Sequence, residues 1–320
     1  MSNNFSNSQI ANKYLINLKL KFRYKEVKKM WLLYVFLLFP IVHTIIFNYL
    51  PMYGVVIAFK DFKPVKGILG SEWNNFQHFK DLFSSIGFFR VFKNTIYISI
   101  LRLAFGFPAP IILALLLNEI WHVKFKKITQ TISYLPVFMS WVVLAGVFFE
   151  FLSVQRGPIN FIIKGLGGQP IDFFTNKVWF LVMLISTGVW SGIGWGAVIY
   201  LASLSSVNPE LYESAELDGA NRYHKAVHIS LPALAPVITI LFILNLGGIL
   251  NAGFDQIFNM YNPLVMEVAD IIDTYVYRMG LVNAEYDFSA AVGLFKNIIG
   301  LILILITNLI VRKVSDYGVW

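Results

Sequence analysis

Six stretches of this chain are apolar over about the twenty residues that a helix needs to cross a ~30 Å hydrocarbon layer. They run over 31–50, 95–117, 132–151, 178–201, 233–254 and 290–311. Inside hydrocarbon every backbone N–H and C=O has to be satisfied within the chain, so stretches of this length read as helices. The pattern predicts an all-α membrane protein with six transmembrane helices. Composition points the same way: 57% of residues are hydrophobic and only 14% charged, more apolar surface than one soluble core uses. The first stretch lies behind a thirty-residue leader without a small-x-small cleavage site, so it is expected to be a retained helix. The chain has no cysteine, which excludes disulfides and thiol nucleophiles.

The net charge of +8 has to be located before a partner is inferred from it. With the N-terminus inside, the cytoplasmic segments hold fourteen bases against seven acids, and the outer segments ten against ten. Excess Lys and Arg on cytoplasmic loops is a topology signal, so both termini are expected to be cytoplasmic. The distribution gives no support for nucleic acid and no charge-based reason to expect an anionic cargo. Residues 1–30 form the expected cytoplasmic leader. Within it, 13–29 interleaves Leu18, Leu20, Phe22 and Val27 with bases, an amphipathic pattern suited to anionic membrane lipid. The transmembrane domain is expected over 31–320, with long outer loops at 51–92 and 255–289.

Between the fourth and fifth stretches, residues 208–232 form a loop built for helix. Asn208 suits an N-cap, Pro209 the first helical position and Glu210 the helix dipole, while Gly219 can take the left-handed conformation that ends a helix. The expected helix of about ten residues is too short to span. A second helical stretch is expected over 220–227, with Pro232 restarting the fifth span. Shape alone leaves two readings open: an ordinary capped connection, or a lever that another protein grips.

The residues of this loop carry a resemblance. Glu213, Ser214 and Ala215, then Asp218, Gly219 and Ala220, then Ile229, Leu231 and Pro232 resemble the EAA loop of ABC importer permeases. Ser214 stands where that pattern has Ala, and Ala226 where a large aromatic is frequent. Pro51-Met52-Tyr53-Gly54, Tyr134-Leu135-Pro136 and Tyr261-Asn262-Pro263-Leu264 are similar to the sugar permeases of the LplB-type branch, which import polysaccharide-derived oligosaccharides such as alginate or pectin fragments. The resemblance implies an ABC importer type I permease fold. It also implies a second homologous permease subunit, two ABC ATPase subunits that hold ATP and Mg, an external solute-binding protein and an oligosaccharide cargo. No cofactor is implied for this chain. The loop would be the coupling helix on the ATPase.

For the cargo, polar and aromatic residues in or beside spans are the candidates, since sugars are held by ring stacking and amide or carboxylate hydrogen bonds. Trp190, Trp195, Asn245, Asn251, Asp255 and Gln256 are the substrate-path residues so expected. Arg102 and Lys296 either snorkel to water or line a wet path, and snorkelling is the expected outcome. Gly188, Gly192, Gly194 and Gly196 are expected to serve close helix packing. His224 and His228 sit four apart, but a metal site would need a third ligand that is not near. No Walker motif and no nucleophile with its base appear, so the chain is read as a transport subunit and not an enzyme. An ion-coupled secondary transporter, or an ABC permease for a non-sugar solute, is the alternative. The former would need intramembrane acids, and only Glu150 and Asp255 lie in or beside spans.

Overall fold

The computed structural model describes residues 29–314. The amphipathic stretch expected at 13–29 therefore lies, but for Lys29, outside the described residues. The chain is mainly helical, with one two-stranded antiparallel hairpin, β1 (Lys60–Asp61) and β2 (Glu72–Trp73). Five of the described helices are long and apolar enough to cross a membrane, or six if one bent pair is a single span. The first, α1 (Trp31–Phe59), is free of charged residues. Most of it belongs to a unit that ends at Val56, and a second unit begins at Ile57.

In the second unit, α2 (Ile86–Asn118) starts nine residues before the expected span. Ser85 caps it by accepting from the Phe88 N–H. The helix passes through a junction at Phe107 beside Pro108, where the absent proline N–H breaks the hydrogen-bond run. The expected third span is corrected by the structure. It is two helices, α3 (Val123–Phe138) and α4 (Trp141–Phe151), bent by 107°. Pro136 sits in the 3-10 turn before the break, and Ser140 caps α4 by accepting from Val143. Next come α5 (Lys177–Leu204), capped by Asn176, the short α6 (Pro209–Leu217), α7 (Arg222–Gly247) and α8 (Tyr286–Val314).

The expected fifth span also changes at both ends. The structure has no restart at Pro232, because α7 runs unbroken from Arg222. Proline removes one N–H and crowds the carbonyl four residues back. A π-turn over Ala226–Ser230 absorbs both, with the Leu231 N–H reaching back to the Ala226 carbonyl. At its other end α7 stops at Gly247, short of the expected 254. Gly248 to Gly253 are non-helical, and Gly253 has φ +89°.

Packing follows the membrane pattern. The hydrophobic windows of α2, α5, α7 and α8 are only 11–33% buried, since lipid solvates an apolar face as well as another helix does. Where backbones do approach, the glycines are spent as expected at two positions. A Cβ on Gly194 would overlap the Ser133 backbone of α3, and one on Gly196 would lie 2.8 Å from Pro110 of α2. Gly192 meets nothing within 4 Å. A larger core joins the starting ends of α2 and α5 to the segment after α7, with Ile98, Phe180, Leu184, Ile257, Met260 and Ile271 all buried. Polar ties pin that segment: the Ile272 N–H donates to the buried Thr95 hydroxyl at 2.9 Å, and Asn94 donates to the Glu267 carbonyl at 2.9 Å.

Candidate functional site

Two places concentrate the residues singled out above: the loop at α6 and a cavity between α2, α5 and the end of α7. In the loop, Asn208 accepts from the Glu210 N–H at 3.1 Å, and Pro209 opens α6 where its missing N–H costs nothing. At the other end Gly219 takes φ +79°. Its N–H donates to the Glu216 carbonyl, and the Ala220 N–H donates back to the Ala215 carbonyl at 2.9 Å. This paired pattern is a Schellman stop, so Ala215, Asp218, Gly219 and Ala220 are a helix-ending device. Asn221 then caps α7 by accepting from His224 at 2.9 Å.

Side chains lock the two helices of the corner together. The Tyr212 hydroxyl lies 2.9 Å from that of the buried Ser230 and Lys225 pairs with Glu216 at 3.5 Å, while Arg222 ties the start of α7 to the segment before α3 by stacking 5.4 Å above Trp121. The Tyr212 to Ser230 tie, invisible in the sequence, fixes α6 to the base of α7. Ile229 is half-buried there, while Leu231 and Pro232 are exposed. Ala226 lines a cleft of about 760 Å³ with Trp121, Phe125, Arg222 and Tyr223. The tip is left uncommitted. Glu213 and Ser214 are exposed, and Leu217 is 90% exposed.

The cavity has a volume of about 280 Å³ and is lined by Ser99, Arg102, Asn245 and Asn251 among others. Its floor includes Gly248 and Ile249, part of the non-helical stretch that follows α7. Irregular backbone within a span is tolerated where it lines a cavity. Of the two readings of Arg102, the preferred one, snorkelling, gives way here to the other, since the residue lines the cavity. In the longer α2, Arg102 falls midway between Ile86 and Asn118, about 24 Å from either end at 1.5 Å per residue. Its guanidinium turns inward and donates to the Gln256 side-chain oxygen. Lys296 instead pairs with Asp273.

The structure brings Asn245, Asn251 and, through Arg102, Gln256 to this cavity. Gln256 is buried, and its amide nitrogen donates to the Leu184 carbonyl and the Thr187 hydroxyl, each at 2.8 Å. Trp190 and Trp195 lie elsewhere. Trp190 packs edge-on to Phe148 along an apolar groove between α2 and α5, and Trp195 edge-on to Phe138. Asp255 is exposed and is not among the lining residues. The sequence signal for Arg102 was present, as the one base deep in the second span.

The profile of the binding-protein-dependent transport system inner membrane components matches residues 106–316, which includes α6, its glycine stop and most of the cavity. The chain belongs to that family. Among its relatives, Protein LplB of Bacillus subtilis (strain 168) is 45% identical over 90% of this chain and 91% of that one. The polygalacturonan/rhamnogalacturonan transport system permease protein YteP of the same organism is 44% identical over 90% of each. A crystal structure of a bacterial alginate ABC transporter, in complex with an alginate pentasaccharide-bound periplasmic protein, contains a chain that superposes with a TM-score of 0.83. It is 41% identical, and the match covers 92% of this chain and 99% of that one.

This permease therefore has the ABC importer type I permease fold and is a multi-pass membrane protein, a transport component whose relatives are permease subunits without catalysis of their own. The binding protein in the name of its family is a working partner. The secondary-transporter alternative is overturned by the same matches.

Proposed function

We propose that this permease is one of two homologous subunits that, with two ATPase subunits and an external solute-binding protein, import an oligosaccharide by alternating access. Six spans with both termini in the cytoplasm put the 208–232 loop on the ATPase side, in agreement with the excess of bases in the segments assigned to the inside. The sugar cargo is inferred from the relatives, whose names speak of polygalacturonan, rhamnogalacturonan and alginate.

The observation that carries the coupling role is the division of labour in α6. Asn208, Ala215, Gly219, Ala220 and Tyr212 are committed to building a rigid corner. The side chains of Glu213 and Leu217 are exposed and hydrogen-bond to nothing among the described residues, as a surface gripped by another protein would be. Rotation of that protein would move α6 and, through Tyr212 and Ser230, the base of α7. Asn245 and Asn251, at the far end of α7, would then shift against α2 and α5, opening or closing the cavity; the two asparagines and Gln256 are proposed as sugar-path residues. Trp190, Trp195 and Asp255 do not line this cavity, and any contact of theirs with the sugar would be elsewhere on the route.

The test is reconstitution of the permease with its partner permease, ATPase and binding protein. Glu213→Ala and Gly219→Pro should each lower sugar uptake per ATP hydrolysed by about tenfold, the loss of roughly 1.4 kcal/mol at an interface, while the chain still inserts. Proline cannot adopt the φ that Gly219 holds. Uptake driven by an ion gradient with no ATPase present would overturn the proposal.

A further inference from the structure

Arg102 is out of balance with its surroundings. A cation held at mid-span is costly unless an anion or a full set of acceptors meets it. Three other buried or half-buried bases of the described chain have theirs: Lys296 has Asp273, Arg278 has Asp270, and Lys60 donates to the carbonyls of Ile68 and Ser71. Arg102 pairs with no Asp or Glu among the described residues. Its one acceptor is the neutral amide oxygen of Gln256, and its Nε is buried without a partner. One turn away, the Ser99 hydroxyl is also buried without a partner, and it lines the same cavity.

The arrangement is nonetheless built. Gln256 is fixed by Leu184 and Thr187 so that its oxygen aims at the guanidinium. Gly253, at φ +89°, lies so close to the guanidinium that a Cβ there would overlap it, and a Cβ on Gly188 would stand 3.1 Å from the Gln256 oxygen. Two glycines and a clamped amide thus hold one cation facing a cavity whose other polar side chains are Ser99, Asn245 and Asn251. The bond to Gln256 ties α2 to the segment after α7 but leaves the positive charge without a counter-charge among the described residues.

We infer that Arg102, positioned by Gln256, is the specificity-determining residue that receives a carboxylate of the passing sugar, so that the cargo is a uronate-containing oligosaccharide. The inference rests on the oligosaccharide import proposed above, for which the relatives already name acidic polysaccharides, and adds the residue that reads the carboxylate. Guanidinium and carboxylate suit each other because the planar fork can give two parallel N–H donors to the two oxygens. Asn245 and Asn251 supply donors and acceptors for ring hydroxyls in the same space.

The importer, reconstituted in proteoliposomes with its partner subunits and binding protein, is offered a galacturonate tetrasaccharide or its carboxyl-reduced counterpart, of equal length but neutral. Arg102→Gln should cut uronate uptake by at least about tenfold and change uptake of the reduced sugar by less than about threefold, because a site that hydrogen-bonds a charged group discriminates by it. Gln256→Glu provides the second arm. It pairs the guanidinium from within but gives up the donations to Leu184 and Thr187, so a purely structural role predicts an equal loss of both sugars. The proposed role predicts the same selective loss of uronate uptake, since the cation is then neutralised from within. Assembly of each variant is checked by co-purification with the partner subunits. An unchanged ratio between the two sugars in both variants would overturn the role of Arg102 and leave oligosaccharide import standing. Uptake of neither sugar by the wild-type importer would overturn the import reading, and this inference with it.

Discussion

Asp270 shows how much of this molecule hangs on single buried charges. It is fully buried, accepts two hydrogen bonds from Arg278 at 3.2 and 2.6 Å and one from Thr274 at 2.8 Å. The bonds to Asp270 hold the Arg278 guanidinium above its ordinary pKa, and the ring of Tyr275 lies 5.6 Å below it. Asp270→Ala would strand that cation, and the expected loss is roughly 3 kcal/mol, read as a lowered Tm of the purified protein. Arg278→Lys, which keeps charge but not the two-pronged fit, should lose less. Nearby, the exposed Glu267 is held below the ordinary carboxylate range chiefly by its hydrogen bond from Lys177. A depressed folded-state pKa means stability that is present above the ordinary value of about 4.3 and is lost as pH falls through the folded value. The small Tm difference between wild type and Glu267→Gln should therefore hold from about pH 8 to about pH 5 and vanish in stronger acid.

At the scale of elements, what could be read from the sequence was what is decided locally. The α6 helix and its stop were legible because Asn208, Pro209 and Gly219 act on their own neighbours. The 107° break between α3 and α4 was not, since Leu135 to Ser140 are apolar enough to look continuous and the close approach of the α3 backbone to Gly194 of α5 is a long-range contact. The unbroken start of α7 was missed because proline reads as a helix boundary, while a π-turn one step earlier removes the conflict. Arg102 was misjudged for a related reason. Its depth depends on where α2 begins, nine residues before the apolar run does. The Tyr212 to Ser230 bond joins residues eighteen apart, beyond any local pattern. Tyr212→Phe should cost only about 1 kcal/mol of stability yet lower uptake per ATP hydrolysed, because the corner between α6 and α7 loosens. Unchanged coupling in that variant would show that the backbone corner alone transmits the motion.

For the whole molecule the proposal stands or falls on which side of the membrane each loop faces, and the chain is suited to finding out. It contains no cysteine, so any thiol introduced is the only one. Val65, between the two strands of the hairpin, is fully exposed, and Leu217 at the tip of α6 is 90% exposed. The charge distribution puts the first outside and the second inside. In intact cells a membrane-impermeant maleimide should label Val65→Cys at once and Leu217→Cys only after permeabilisation. With the ATPase bound, labelling of Leu217→Cys should slow even in permeabilised cells, since the proposed contact covers it, while Val65→Cys is unaffected. The opposite order of labelling would invert the topology and leave α6 facing the binding protein, where an ATPase could not reach it. Labelling of Leu217→Cys that ignores the ATPase would keep the topology but remove the contact on which coupling depends.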